Sequence, residues 1–476
     1  MTVFLVGAGP GDPGLLTRRG AEVLMRADVV VYDRLVDRAL LGLVPQGAEL
    51  LDAGEVRDAA GVSRQDGVNR LLADRGRSGA TVVRLKGGDP FLFGRGGEEA
   101  EALRAAGVAF EVVPGVPSAF AVPAAAGIPV TRRGMSTSVT VVTGRVGDPS
   151  DPAGADSAAP DWESLGRAGG TLVVLMGMAT RAEISRRLLE AGRPPGTPVA
   201  VVERGTTPAQ RVARTTLEGL AAVELDSPSV IVIGAVAGLD LSTASAGPLS
   251  GATVVVTRPR GDADDLSDAL RVAGARVLRL PVVEVAGPED EGVALAAAVR
   301  NLVRYQWVAF TSANAVRRLL ALVPDVRALS GLQLAAVGPG TAAALKVHRL
   351  LPDLVADRAS AAGLGDAFPV SSTPGAAVLF PKSAGASPAL PAALRAKGWE
   401  VDEVAAYRIV RAPAPHAVIV AELETASAVV FASPSAVAAY VALRTDGGAS
   451  LPVPPVVACV GPVTAEAARA AGLEVG

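Results

Sequence analysis

Val3-Phe4-Leu5-Val6 runs straight into Gly7-Ala8-Gly9-Pro10-Gly11-Asp12-Pro13-Gly14, after which Leu16, Val23, Leu24 and Ala27 recur at helical spacing. An apolar run, a glycine turn and an amphipathic stretch are the parts of a strand–loop–helix unit. Short β-rich runs return at Val29 to Tyr32, Val82 to Leu85, Leu172 to Leu175 and Val199 to Val202, between stretches rich in Ala, Leu and Arg. This alternation predicts an α/β fold with largely parallel sheets.

A chain of 476 residues divides by about 150 into roughly three compact units. Half of it is apolar and only 3% is aromatic, so the cores are built from Ala, Val and Leu, in a globular composition. No apolar stretch is long enough for a membrane span, and no basic segment precedes the first strand, so a cytoplasmic location is expected. With 45 basic and 48 acidic residues, no field favours nucleic acid, and a small molecule is the expected partner. The lone Cys459 and the well-separated His348 and His416 speak against zinc sites and Cys/His nucleophiles, so no metal is expected. Chemistry falls to carboxylates, Arg, Lys, hydroxyls and backbone groups.

Leu241 to Gly251, LSTASAGPLSG, is small, polar and followed at once by a new strand, Thr253 to Thr257, so residues 241–250 read as a linker between regions 1–240 and 251–476. Gly147 to Pro160 has no apolar periodicity and reads as a surface loop. The second half repeats itself. Val308-Ala-Phe-Thr-Ser312-Ala-Asn-Ala-Val316 matches Val429-Val-Phe-Ala-Ser433-Pro-Ser-Ala-Val437, and Val337-Gly-Pro-Gly-Thr341-Ala matches Val460-Gly-Pro-Val-Thr464-Ala, at nearly the same offset. Two similar α/β lobes are expected, with a ligand between them. Ser312, Thr341, Ser433 and Thr464 fall where strands end and helices begin; each reads as an N-cap or as part of a shared anion site.

The first glycine loop is not a dinucleotide fingerprint, because Pro10 and Pro13 each remove a backbone donor; a Rossmann reading would use Asp33 on a ribose. A second cluster, Lys86-Gly87-Gly88-Asp89-Pro90-Phe91-Leu92-Phe93-Gly94-Arg95-Gly96-Gly97-Glu98-Glu99, follows the strand Val82 to Leu85. It reads either as a site where a flat ligand approaches bare backbone, with Asp89 accepting hydrogen bonds, or as a tight turn with helix-starting acids at Glu98 and Glu99. Further along stand Val113-Pro114-Gly115-Val116-Pro117-Ser118-Ala119, Gly127 to Arg133, Met176-Gly177-Met178 and Glu203-Arg204-Gly205-Thr206.

Together and in this order, these motifs resemble the uroporphyrinogen III C-methyltransferases of the tetrapyrrole methylase family, from Thr2 to about Asp240. The resemblance implies two α/β subdomains with S-adenosyl-L-methionine folded into the cleft between them, and a homodimer formed through this region. Pro10, Gly87, Gly88, Asp89, Leu92, Met176 and Gly205 fall on the family's cofactor positions. Pro117 and Ser118 fall on a pair that is commonly Thr-Ala, where the backbone carries the role. Asp33 matches the family's proton acceptor, and a largely apolar cleft would make it a useful base; a ribose contact or a helix-starting role are its alternatives. Arg95 and Arg133 suit the substrate's carboxylates. The family usually has a lysine after the glycine that is Gly54 here, and this chain has Glu55, so the lysine is dispensable, Arg57 replaces it, or this copy is slower.

From Gly251 the chain resembles uroporphyrinogen III synthase, through Val254 to Arg260, Phe310 to Val316, Ala336 to Thr341, Phe380-Pro-Lys382-Ser383, Ala406-Tyr407-Arg408, Phe431 to Ser435 and Gly461 to Thr464. The resemblance implies two discontinuous lobes, about 251–284 plus 408–476 and about 285–407, with a further helix after Leu473-Glu-Val475. Tyr407 matches a tyrosine that helps the substrate hydroxyl leave, or packs at the hinge. Ser312, Thr341, Ser433 and Thr464 would bind carboxylates. The whole then makes uroporphyrinogen III from hydroxymethylbilane and methylates it twice to precorrin-2. Its rivals are a methylase of a later corrinoid, or a methylase with a noncatalytic tetrapyrrole-sensing module.

Overall fold

The computed structural model describes residues 2–56, 64–144, 160–242, 247–259, 265–445 and 447–476. Arg57, Arg260 and nearly all of the loop Gly147 to Pro160 lie outside them, as do residues 243–246 of the linker.

The chain begins with β1 (Val3–Gly7), β2 (Val29–Tyr32), β3 (Glu49–Asp52), β4 (Val82–Lys86) and β5 (Phe110–Val113). They form one wholly parallel sheet in the order β3-β2-β4-β1-β5. The apolar runs read in the sequence are its buried strands: Val3, Leu5, Val31 and Val82 join Leu72 and Leu103 in one core. Asp12 and Thr17 cap the short turn Pro13–Leu15 and the helix Arg18–Leu24, which is shorter than its apolar spacing predicts, since Leu16 and Ala27 flank it.

Next come β6 (Val139–Thr143), β7 (Thr171–Leu175), β8 (Pro198–Glu203), β9 (Arg211–Thr216) and β10 (Ser229–Ile233), ordered β6-β7-β10-β8-β9. Only β6 and β7 pair in parallel, so the expectation of largely parallel sheets fails here. β9 turns back on β8, and β10 returns between β7 and β8 against both. Fully buried strands read as continuous apolar runs whichever way they point, so the sequence carried no sign of it.

Beyond residue 250 lie β11 (Thr253–Val256), β12 (Arg276–Arg279), β13 (Val283–Ala286), β14 (Tyr305–Phe310), β15 (Gln333–Ala336), β16 (Leu354–Val355), β17 (Ala377–Ser383), β18 (Glu400–Arg411), β19 (Ala428–Phe431) and β20 (Val456–Cys459). They form a parallel sheet β12-β11-β19-β20 and a second sheet β13-β18-β17-β14-β15-β16, parallel except for β13. The internal repeat is structural: β14-Ser312-helix stands beside β15-Gly338-Pro339-helix, and β19-Ser433-helix beside β20-Gly461-Pro462-helix. By contacts the chain falls into two compact units, one of Met1–Thr257, Ala263–Leu280 and Pro413–Gly476, the other of Arg258–Asp262 and Pro281–Ala412. Among the described residues no helix is long and apolar enough to cross a membrane.

Candidate functional site

Three glycines close the carboxyl ends of β1, β4 and β5. A methyl group on Gly7 would stand 2.5 Å from the Gly115 Cα and 2.6 Å from the Gly88 carbonyl oxygen, and one on Gly115 would stand 2.2 Å from that same oxygen. Backbone meets backbone with no room for a side chain. Gly9 and Gly88 bridge the two glycine loops, N to O at 3.2 Å and 2.7 Å, and the left-handed φ of Gly88, +66°, turns the chain for it. In the other direction the loop is open. The missing Cβ of Gly87 has nothing nearer than the Leu35 Cβ at 3.7 Å, and that of Gly88 faces the Ser118 amide at 3.8 Å and the Pro117 Cα at 4.0 Å. Asp89 holds the loop in shape: Oδ1 accepts from the Phe91 amide at 2.9 Å and Oδ2 from the Gly115 amide at 3.0 Å. A ligand would have to use the lone pairs that remain.

The second sheet completes this crevice. Thr206 Oγ1 accepts from the Asp12 amide at 3.2 Å, bringing the loop after β8 to the loop that carries Pro10. Gly205 must be glycine, because a Cβ there would stand 2.3 Å from Val122 on the helix Ser118–Ala125. Met176 follows β7 with a left-handed φ of +56°. Leu175 and Glu203 flank neighbouring residues of β10 from either side, and β7 and β8 point the same way, so Met176 and Gly205 share one sheet edge. Leu92 packs on the core that Ala119 and Val122 share with Leu175 and Val202. Phe93, Arg95, Arg204 and Thr206 are also left-handed, a concentration of costly backbone in these loops. Pro10, Gly87, Gly88, Asp89, Leu92, Pro117, Ser118 and Gly205 are thus brought together, with Met176 on the same rim.

Asp33 follows β2, its amide bonded to the Leu85 carbonyl at 3.1 Å, beside the Gly87-Gly88 loop. The expected apolar surroundings are corrected by the structure. Arg84 Nη2 donates to Asp33 Oδ1 at 2.5 Å, and Arg84 Nε and Lys86 Nζ both reach Glu99 Oε1 at 2.9 Å. Glu99 is fully buried and Arg84 and Lys86 nearly so, while Asp33 is about one-third exposed. Burial works against charge on Arg84, but Glu99 and Asp33 outweigh it and its pKa is raised. Burial, helped by Arg84, pushes the Lys86 ammonium pKa down. Among the other sequence candidates, Arg95 pairs with Glu98 at 3.0 Å, Arg133 is exposed on the turn closed by Arg132 and Ser136, and Glu55 is exposed with its amide on the Asp52 carbonyl at 3.0 Å.

In the second half the serines are N-caps: Ser312 Oγ accepts from the Ala315 amide at 3.1 Å and Ser433 Oγ from the Ala436 amide at 3.2 Å. Thr341 and Thr464 are buried in the first turns of their helices. Ser312 and Thr341 follow neighbouring parallel strands, as do Ser433 and Thr464. Tyr407 lies in the core of its own unit, and its phenol donates to Ser312 Oγ at 2.9 Å.

The family model of tetrapyrrole (corrin/porphyrin) methylases matches residues 2–221, and that of uroporphyrinogen-III synthase HemD matches residues 264–476. A porphyrin biosynthesis protein HemD of Ruminiclostridium josui is 40% identical over 361 residues, 74% of this chain and 70% of that one. An S-adenosyl-L-methionine-dependent uroporphyrinogen III methyltransferase of Methanosarcina barkeri is 44% identical over 50% of this chain and 92% of its own length. The chain is a tetrapyrrole methylase joined to a uroporphyrinogen III synthase. A siroheme synthase of Tolumonas auensis is 46% identical over 50% of this chain and 49% of its own, so this chain matches about half of that protein.

In this methylase–synthase the sequence reading missed Arg84; Glu99 does stand in the first turn of the helix Gly96–Ala105, as one of its two readings had it, but its burial against Arg84 and Lys86 was not foreseen. Glu98, next to it, is the one that stays exposed and pairs locally. A signal was present in the strand Val82-Val83-Arg84-Leu85-Lys86, where two cations two residues apart share one face of a central, buried parallel strand and require a buried acid. Thr206 and Gly115 were quoted in motifs without a role, since their partners are far away in sequence.

Proposed function

We propose that residues 251–476 cyclise hydroxymethylbilane to uroporphyrinogen III and that residues 1–240 methylate this product at two ring carbons to precorrin-2. The observation that carries the methylase assignment is the crevice whose floor is bare backbone at Gly87 and Gly88, opposite Pro117 and Ser118. A cavity that a single Cβ would begin to fill fits a ligand bound by main-chain groups. Pro10, Gly87, Gly88, Asp89, Leu92, Pro117, Ser118, Met176 and Gly205 would hold S-adenosyl-L-methionine, which supplies an electrophilic methyl group on a sulfonium. That methyl would pass from sulfur to an electron-rich pyrrole carbon of the substrate, which would then have to lose a proton. Asp33 accepts it, at the edge of the crevice and within reach of solvent. Arg95 and Arg133 offer guanidinium groups to the substrate carboxylates.

In the synthase half the reading places Ser312, Thr341, Ser433 and Thr464, with their helix N-termini, on the substrate carboxylates, and Tyr407 at the departing hydroxyl. Folding a linear tetrapyrrole into one conformation is the larger part of that task. Supplying the whole chain with hydroxymethylbilane and S-adenosyl-L-methionine and identifying products by mass spectrometry and isomer analysis tests both halves. A dimethylated type III product is expected. Type I isomer alone would overturn the synthase, and unmethylated type III product would overturn the methylase.

A further inference from the structure

The cluster behind Asp33 is expensive. β4 is the middle strand of a parallel sheet, all five of its residues are buried, and the apolar run expected there is broken by Arg84 and Lys86. Glu99 is brought over them by the helix Gly96–Ala105. Three charges leave water, and the second Glu99 oxygen, Oε2, has no hydrogen-bond partner among the described residues. Buried ion pairs are often replaced by apolar side chains without loss of stability, so stability alone does not account for this set.

The geometry of Arg84 does. Its Nε is held by Glu99, its Nη1 by the carbonyls of Val31 at 3.3 Å and Leu85 at 3.4 Å, and only Nη2 reaches outward, to the Asp33 oxygen. The guanidinium is a rigid plane, so fixing two of its nitrogens fixes the third. Lys86 shares the same Glu99 oxygen and sits directly before Gly87-Gly88. We infer that Glu99 and Arg84 are positioning residues for methyl transfer, with Glu99 locking the guanidinium and the guanidinium aiming the Asp33 carboxylate at the crevice. This rests on the reading of Asp33 as proton acceptor.

A double-mutant cycle on the full chain tests it. Asp33→Asn is expected to lower methyl-transfer turnover by at least about 100-fold. Glu99→Gln keeps the shape but removes the charge that holds Arg84 and Lys86 and leaves one acceptor for two donors, and is expected to lower turnover about 10- to 100-fold with S-adenosylhomocysteine affinity within about threefold of wild type. Combined, the two should be no slower than Asp33→Asn alone, because Glu99 acts only through Asp33. Multiplying losses would overturn the inference while leaving the base reading intact, and wild-type turnover in Asp33→Asn would overturn both. Should Glu99→Gln fail to fold, judged by its thermal melt, Arg84→Lys serves instead: a lysine has no fork to bridge two carboxylates, and wild-type turnover in that variant would equally sink the inference.

Discussion

Arg276, at the start of β12, donates Nε to Asp37 Oδ2 at 3.0 Å and Nη2 to Asp37 Oδ1 at 2.6 Å, a bidentate fork across 239 positions of sequence. Its third nitrogen, Nη1, meets Glu422 at 2.7 Å. All three side chains are less than one-fifth exposed. Asp37 also caps the turn Arg38–Leu43, four residues beyond Asp33, and His416 Nε2 lies 3.1 Å from the Pro45 carbonyl oxygen just past that turn. The turn behind the candidate base is therefore braced by residues that the sequence assigns to the other enzyme.

Arg276→Met should leave Asp37 and Glu422 facing one another without their cation. The expected loss is about 2–4 kcal/mol, the lower part of the range for a broken buried pair because some water reaches it. Thermal melting reads this as an earlier first transition, and adding Asp37→Asn and Glu422→Gln should return most of the loss. An unchanged melt would mean that the fork contributes nothing.

Gly88→Leu should weaken S-adenosylhomocysteine binding at least about 100-fold and leave cyclisation within about twofold. Strain at φ +66° accounts for only about 1–2 kcal/mol of folding cost. The rest is occupancy, since the new side chain would grow toward the Ser118 amide, 3.8 Å from its Cβ. Calorimetric titration separates the two, because strain alone would lower the melting temperature and spare the affinity.

These sites were unevenly legible. Gly87 and Gly88 could be picked out because a glycine pair at a strand end lets a ligand approach bare backbone, and the twin Ser and Gly-Pro units because the chain states them twice. The antiparallel return of β10 could not, since Val230 to Ile233 look alike in either direction. Nor could the partner of Asp33. An alternating strand shows that Arg84 and Lys86 share a face, but which acid meets them depends on how the helix Gly96–Ala105 is rotated, and Glu98 and Glu99 are equal candidates until it is. The four hydroxyls were legible as strand-end groups, and their division into two half-buried caps and two buried threonines was not, because it depends on the residue at which each helix begins.

Tyr407→Phe separates catalysis from packing. Among the described residues the phenol bonds to Ser312 Oγ, which keeps its backbone donor at Ala315 when the hydroxyl goes. Loss of one such bond costs about 0.5–1.5 kcal/mol of stability. If the hydroxyl also assists departure of the substrate's, the enzymatic cyclisation rate should fall at least about tenfold beyond that. A wild-type rate of type III product would reduce Tyr407 to a packing residue.

Glu55→Lys restores the residue that the resemblance leads one to expect after Gly54. The turn can accept it without rearrangement, because it is built from main chain and Asp52: Oδ1 of Asp52 accepts from the Gly54 amide at 2.7 Å, its carbonyl accepts from the Glu55 amide at 3.0 Å, and the Glu55 side chain is exposed. Glutamate lacks the ammonium donor that lysine would offer, so catalysis in the native chain proceeds without that donor at this position or draws protons from solvent. The exchange should then change methyl-transfer turnover by less than about tenfold, or about 1.4 kcal/mol of barrier. Two units of charge reversal near a polycarboxylate substrate should act chiefly on KM, lowering it in dilute buffer and losing that effect as salt is added. Steady-state kinetics on purified uroporphyrinogen III at two ionic strengths checks both parts. A rise of about 100-fold in kcat, unaffected by salt, would mean that Glu55 had removed a proton donor the reaction needs, and the native chain would then be a methylase impaired at its own turn.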